Sequence, residues 1–220
     1  MAETFSPILA PDTEARIDAI MRRLSEDNVR LTKPSKPSTK PISGTKATRA
    51  PSRSIGKADG IPLSGLAPVF RADARVLVLG SLPGVQSLAR AQYYANPRNQ
   101  FWRLLGAVLG IDLQTMDYPA RLACLADQRI ALWDAIGQGH RQGSLDASIR
   151  IIERSDLARL TAMLPNLRAL AFNGKLAAGQ AAAVSPGLEK LVLPSSSPAN
   201  TAPFAAKLEA WMTIRRFLDL

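Results

Sequence analysis

Four short runs dominated by apolar residues stand out along the chain, at 75–79, 129–133, 169–172 and 190–193, and each closes on polar or glycine-rich sequence. Apolar runs of this length without strict alternation read as strands buried on both faces. Between and after them, apolar residues recur at three- and four-residue steps over 100–109, 119–126, 156–164, 176–183 and 203–218, the spacing that gives a helix one apolar side. Strand and helix therefore alternate. That order predicts an α/β fold, a three-layer α/β/α sandwich around a four-stranded, mostly parallel sheet. Ligands of such sheets bind beyond the carboxyl ends of the strands, which directs attention to the segments after Leu79, Trp133, Phe172 and Leu193.

The pattern begins late. Residues 32–60 hold Lys33, Lys36, Lys40, Lys46, Arg49, Arg53 and Lys57 against Asp59 alone, with four prolines and no aromatic residue. Such a segment buries too little apolar surface to offset its ordering entropy, so a disordered basic extension is expected over 1–60, with a short helix at 13–30. The folded domain is expected over 61–220. The whole chain of 220 residues carries a net charge of +10, which suits a polyanionic partner. One cysteine, Cys124, excludes an internal disulfide framework and a four-cysteine iron–sulfur cluster, and the lone His140 argues against a histidine-built metal site. No apolar run reaches the ~18 residues of a membrane span, and the acidic start Met1-Ala-Glu-Thr lacks a signal peptide's basic region. A cytoplasmic setting is expected.

The strand-end segments are dense in polar chemistry. After the first strand come Gly80-Ser81-Leu82-Pro83-Gly84 and then Gln92-Tyr93-Tyr94-Ala95-Asn96-Pro97-Arg98-Asn99-Gln100-Phe101-Trp102. The glycines permit close approach of backbone to a ligand, but the segment matches neither the phosphate-binding G-x-x-x-x-G-K-[ST] loop nor the G-x-S-x-G elbow. Asn99 precedes an amphipathic run and reads equally well as a helix cap. Of two adjacent tyrosines in an extended segment, one should face the cleft. After the second strand, Asp134 reads as a local backbone acceptor, and 137–146 reads as a mobile cationic loop containing His140 and Arg141. Asn173 closes the third strand with the donor and acceptor of one amide, a pairing suited to a base edge. Leu193-Pro194-Ser195-Ser196-Ser197-Pro198 follows the fourth, with hydroxyls that could grip a phosphate.

Together, Gly80-Ser81-Leu82-Pro83-Gly84, the 94–102 segment, Phe172-Asn173-Gly174 and Leu193 through Pro198 resemble the uracil-DNA glycosylase superfamily over residues 70–220, and within it most the hypoxanthine-DNA (deoxyinosine) glycosylase family. The resemblance implies a four-stranded parallel sheet and a nucleotide flipped into a pocket at the strand ends, with no metal or other cofactor. It implies a monomeric, monofunctional base-excision-repair enzyme whose partner is DNA containing deaminated bases, most of all hypoxanthine. Uracil or mismatched bases are the alternative substrate, and a silent DNA-binding module is the alternative of another class. Leu82 stands where many members carry the Asp or Asn that orients water, and Asn96 stands where relatives often have His. The resemblance assigns catalysis to Asn99 and base binding to Gly80, Ser81, Leu82, Tyr94 (as stacking platform) and Asn173. It assigns DNA-backbone contacts to Ser195, Ser196, Ser197 and Pro198, and Arg141 joins them as the cation of the neighbouring loop.

Overall fold

The computed structural model describes residues 62–141, 149–180 and 187–219. The expected extension over 1–60 and its helix at 13–30 lie outside the described residues. Seven strands are described: β1 (Leu63–Ser64), β2 (Val76–Gly80), β3 (Ile130–Asp134), β4 (Ile136–Arg141), β5 (Ile149–Arg154), β6 (Ala169–Asn173) and β7 (Glu189–Leu193). The helices are α1 (Val85–Arg90), α2 (Phe101–Leu109), α3 (Tyr118–Asp127), α4 (Leu157–Ala162), α5 (Lys175–Ala178) and α6 (Phe204–Trp211), the last running on into a 3-10 segment over Met212–Phe217.

Strands β2, β3, β6 and β7 form one sheet in the order β3-β2-β6-β7, with every neighbouring pair parallel. Successive residues alternate between two cores. Val76, Val78, Ile130, Leu132 and Ala171 pack with α2, α3 and α6 through Phe101, Leu105, Leu125 and Trp211. Leu77, Leu79, Ala131, Leu170 and Phe172 pack on the other face with Leu157 and Leu160 of α4 and Ala177 of α5. Burial on both faces is why these strands carry continuous apolar runs.

Local chemistry sets the helix ends. Gly110, at φ 72°, ends α2 in the left-handed conformation. Asp117 accepts the Ala120 N–H at 2.8 Å and caps α3, and Asp156 accepts the Arg159 N–H at 2.9 Å and caps α4. The helix expected over 176–183 is described as Lys175–Ala178, and residues 181–183 lie outside the described residues.

One expectation needs correction. The stretch beginning at Gly137 is not a loop in its first part: Ile136–Arg141 is a strand, antiparallel to both β1 and β5 in a second, three-stranded sheet. Its glycines and polar residues gave no apolar period, but the strand is held from outside. The N–H groups of Ala135 and Ile136 donate to Gly80 O and Ser81 O, so β4 starts as a continuation of the turn that leaves β2. At Gly139 an added Cβ would lie 3.0 Å from Arg150 O and 3.6 Å from the Leu82 side chain. Close packing of β4 against its neighbour and that turn is what the glycine permits.

The order β3-β2-β6-β7 places β3 on one side of β2 and β6 on the other, so the chain's direction of winding reverses between β2 and β6. The connections that leave β2 and β6 pass to α2 and α5 on opposite faces of the sheet, leaving a crevice where open α/β sheets bind ligands.

Candidate active site

A cavity of about 320 Å³ occupies that crevice, lined by every strand-end segment singled out above. Gly80 through Gly84 form one wall, Tyr94, Asn96 and Asn99 a second, and Asn173 with Ser195 through Pro198 a third; Asp134 and Arg141 complete it. All ten residues expected to bind the base or the DNA backbone, and Asn99, therefore line one cavity.

Asn99 is fixed by the turn into α2. Its Oδ1 accepts the Phe101 N–H at 3.0 Å, so it does serve the helix start. That bond uses one lone pair of the amide oxygen and leaves Nδ2 as a donor for a ligand or a water. The next residue is anchored twice: Gln100 N–H donates to Ser196 O at 3.0 Å, and Gln100 Oε1 accepts from Lys207 Nζ at 2.9 Å. Lys207, only 1% exposed, also donates to Asn200 O at 2.7 Å. One buried ammonium from α6 thus ties the Asn99 turn to the Ser-Pro loop, while burial pulls its pKa down. The sequence offered no signal for Lys207, because a lysine on a terminal helix ordinarily lies in solvent.

The two tyrosines differ in burial, and both line the cavity, where the sequence placed one. Tyr93 is 3% exposed, and its hydroxyl donates between Leu66 O and Ala67 O at 3.2 and 3.0 Å. Burial raises its pKa well above the phenol range, so it stays neutral. Tyr94 is half-buried and has φ 53°, a left-handed backbone that costs a non-glycine residue on the order of 1 kcal/mol or more. Its ring is stacked on Phe101, with centroids 3.7 Å apart and planes 10° apart. One ring face is therefore backed by the core, and the residue lines the cavity.

Asn173 is 6% exposed and spends most of its amide internally. Nδ2 donates to Tyr94 Oη at 3.1 Å and to Ser196 Oγ at 2.8 Å, while Oδ1 accepts the Ser196 N–H at 2.8 Å. What it can offer a base edge is the second lone pair of Oδ1. Gly174, at φ 103°, lets this strand end close on the loop: an added Cβ would lie 3.1 Å from the Ser195 Cβ.

Two expected DNA-backbone residues turn inward. Ser196 is fully buried, and its hydroxyl and N–H both meet Asn173, so it holds the loop instead of facing a phosphate. The surface of this loop is formed by half-buried Ser195 and Ser197 and by exposed Pro198. Arg141 sends its two terminal nitrogens to Leu82 O and Pro83 O at 2.8 and 2.9 Å, bracing the turn after β2. Leu82 itself is 4% exposed and presents an apolar wall to the cavity at the position where, by the resemblance, many relatives carry a water-orienting Asp or Asn.

Asp134 is the residue the sequence undervalued. It does accept a backbone N–H, from Leu66 at 3.2 Å, but it also lies 3% exposed in the cavity wall. Burial dominates its titration and raises its pKa to about 8, opposed by the Leu66 N–H, the Tyr93 hydroxyl and the Arg141 guanidinium. The available signal was an Asp closing a strand that is otherwise wholly apolar. Because its folded pKa lies above the ordinary carboxyl value, the native state binds this proton more tightly than the unfolded chain does. Stability contributed by that proton is present below about pH 4 and is lost as pH rises towards 8, by at most about 1.4 kcal/mol per pH unit. Asp134→Asn abolishes this slope, so the variant should gain in melting temperature over the parent as pH goes from 5 to 8. Parallel melting curves across that range would refute the buried acid.

Among the described residues, no group of three or more His, Cys, Asp and Glu could hold a metal ion. No helix among them is long and apolar enough to cross a membrane.

The crevice at the strand ends thus brings together a tyrosine stacked on a buried phenylalanine and the side-chain amides of Asn96, Asn99 and Asn173. The model of the uracil DNA glycosylase superfamily matches residues 67–219, and the chain belongs to that superfamily. Among curated relatives it is 39% identical over 148 residues to a hypoxanthine DNA glycosylase of Methanosarcina barkeri, covering 67% of this chain and 94% of that protein. It is 40% identical over 153 residues to a hypoxanthine DNA glycosylase of Methanosarcina acetivorans, covering 69% and 97%. The solution NMR structure of a candidate uracil DNA glycosylase from Methanosarcina acetivorans superposes with a TM-score of 0.65 at 39% identity, covering 71% of this chain and 98% of that one.

Proposed function

We propose that this protein is a monofunctional DNA glycosylase of base excision repair that releases hypoxanthine from DNA. The observation that carries the reading is the lining of the cavity: the Tyr94 ring, the amides of Asn99 and Asn173 and the apolar Leu82 wall converge on one space at the strand ends. A base flipped out of the duplex would stack on the Tyr94 face opposite Phe101. Extrusion costs a few kcal/mol, least at a mispaired base, which favours deaminated bases. Ser195, Ser197 and Pro198 would meet the DNA backbone at the mouth.

Cleavage of the C1′–N bond leaves a cationic sugar and sends an electron pair into the base. Asn99 Nδ2 can fix a water by hydrogen bonding on the side away from the leaving base, a positioning role that needs no strong base at an oxocarbenium-like centre. The water adds to C1′ and loses its proton to solvent, giving an abasic site and the free base. One chain supplies every residue lining the cavity, so a monomer suffices, and the setting we propose is cytoplasmic.

The test is base release from duplex oligonucleotides carrying one deoxyinosine, deoxyuridine or undamaged purine, in the presence of a chelator. Hypoxanthine release that leaves an unbroken abasic strand is the expected result. Release of uracil in preference would move the substrate assignment to the pyrimidine. No release from any substrate, with DNA affinity intact, would make the chain a silent binding module. Deleting residues 1–60 from the active protein should weaken binding to damaged and undamaged DNA equally and flatten the salt dependence, because the seven cations of residues 32–60, a segment without aromatics, meet phosphates and read no base.

A further inference from the structure

Water positioning by Asn99 leaves the other half of the reaction, the departing base, without a partner. A purine leaves poorly as an anion and readily once a ring nitrogen has been protonated, so a proton donor within the cavity has a defined task.

Asp134 closes β3 beside the carboxyl end of β2, where Gly80 and Asp134 are register partners. Its two oxygens have different surroundings. Oδ2 is held by the Leu66 N–H at 3.2 Å. Oδ1 lies where a Cβ on residue 80 would come within 3.0 Å of it, and the same Cβ would come within 3.0 Å of Tyr94 Oη. The absent side chain at Gly80 therefore clears the space in which this carboxyl oxygen and the hydroxyl of the stacking tyrosine meet the cavity together. The titratable and charged groups around the carboxyl are Tyr93, Tyr94, Tyr118 and Arg141. The Tyr93 hydroxyl is shared between the carboxyl and the carbonyls of Leu66 and Ala67, and Arg141 spans the carbonyls of Leu82 and Pro83.

We propose that Asp134 is a catalytic residue of this site, the general acid that passes a proton from Oδ1 to a ring nitrogen of the departing purine. The inference rests on the glycosylase reading above and adds the residue that activates the leaving group. As the C1′–N9 bond breaks, its electron pair goes to the base and the Asp134 proton goes to N7 or N3. The incoming water supplies the oxygen at C1′ and gives its own proton to solvent, and Asp134 is reprotonated from solvent, so atoms and charge balance. Burial supports the assignment, since a carboxyl kept out of water retains its proton near neutrality and is matched to acid catalysis there.

The experiment is single-turnover release from a duplex containing one deoxyinosine, followed from pH 5.5 to 9.5 for the parent protein and Asp134→Asn. Asn keeps the size and a hydrogen-bond donor but cannot transfer a proton. The parent rate is expected to fall as the carboxyl loses its proton on the alkaline side. The variant is expected to be about 100-fold slower or worse at pH 7, with a flat alkaline profile. The second arm replaces deoxyinosine by its 7-deaza and 3-deaza analogues. On the analogue lacking the accepting nitrogen, the difference between parent and variant should vanish, and so should the alkaline fall of the parent. If Asp134→Asn does not fold, that loss of pH dependence in the parent decides alone. A variant within about threefold of the parent overturns the proposal, as does a defect of equal size on both analogues. Failure of the parent to release any base would remove the glycosylase reading as well, which separates that failure from the failure of Asp134 alone.

Discussion

Replacing Asn99 by Ala is expected to slow single-turnover base release by about 100-fold or more while leaving DNA affinity within a few-fold of the parent. The amide does two things, and the variants separate them. Oδ1 accepts the Phe101 N–H at 3.0 Å, so truncation also removes a helix-starting hydrogen bond worth about 1 kcal/mol. Asn99→Asp keeps an oxygen for that N–H but has no Nδ2 donor. If the donor positions water, Asn99→Asp should melt near the parent temperature and still lose most of the rate. If Asn99 serves only the helix, Asn99→Asp should retain full turnover per folded molecule, and only Asn99→Ala should suffer, through its melting temperature.

The largest stability effect is expected at Trp211. Its side chain is 0% exposed at the end of α6, its ring meets Phe101 edge to face at 5.7 Å, and its Nε1 donates to Pro194 O at 3.0 Å. Trp211→Ala leaves a large void and a half-buried Pro194 carbonyl without its indole partner, at a cost of about 3–5 kcal/mol in chemical denaturation. The consequence reaches the site. Phe101 backs the Tyr94 ring, and Pro194 precedes the serine loop, so the surviving folded molecules should also bind damaged DNA less tightly. Trp211→Phe, which refills most of the void but lacks the indole N–H, should recover most of the stability and less of the affinity. A loss below about 1 kcal/mol for Trp211→Ala would show that the two sides of the core are not coupled through this ring.

The layered α/β architecture was legible in the sequence because a strand buried on both faces has no choice but to be apolar throughout. The runs at 75–79, 129–133, 169–172 and 190–193 each lie within one residue of a strand of the parallel sheet. The cavity's position followed from the same fact, since all four strands run the same way and place their polar successors at one end. What local pattern could not carry was any element defined by its neighbours. β4 is rich in glycine and polar residues, and it is a strand because the turn after β2 and the facing β5 supply its hydrogen bonds.

The same division runs through the site. Tyr94, Asn99, Asn173 and the serines were recognisable as chemistry in the right order. Which of their atoms are free was decided in three dimensions: Asn173 and Ser196 satisfy one another across a distance of 23 residues. Asp134 and Lys207 show the limit most plainly. Asp134 read as no more than a backbone acceptor and Lys207 gave no signal at all, yet both are buried by the elements packed around them. Sequence specifies which groups are present and at what period they recur. Burial is a property of the assembled layers, and burial is what turns a carboxyl at a strand end into a candidate acid and a helix lysine into a tether.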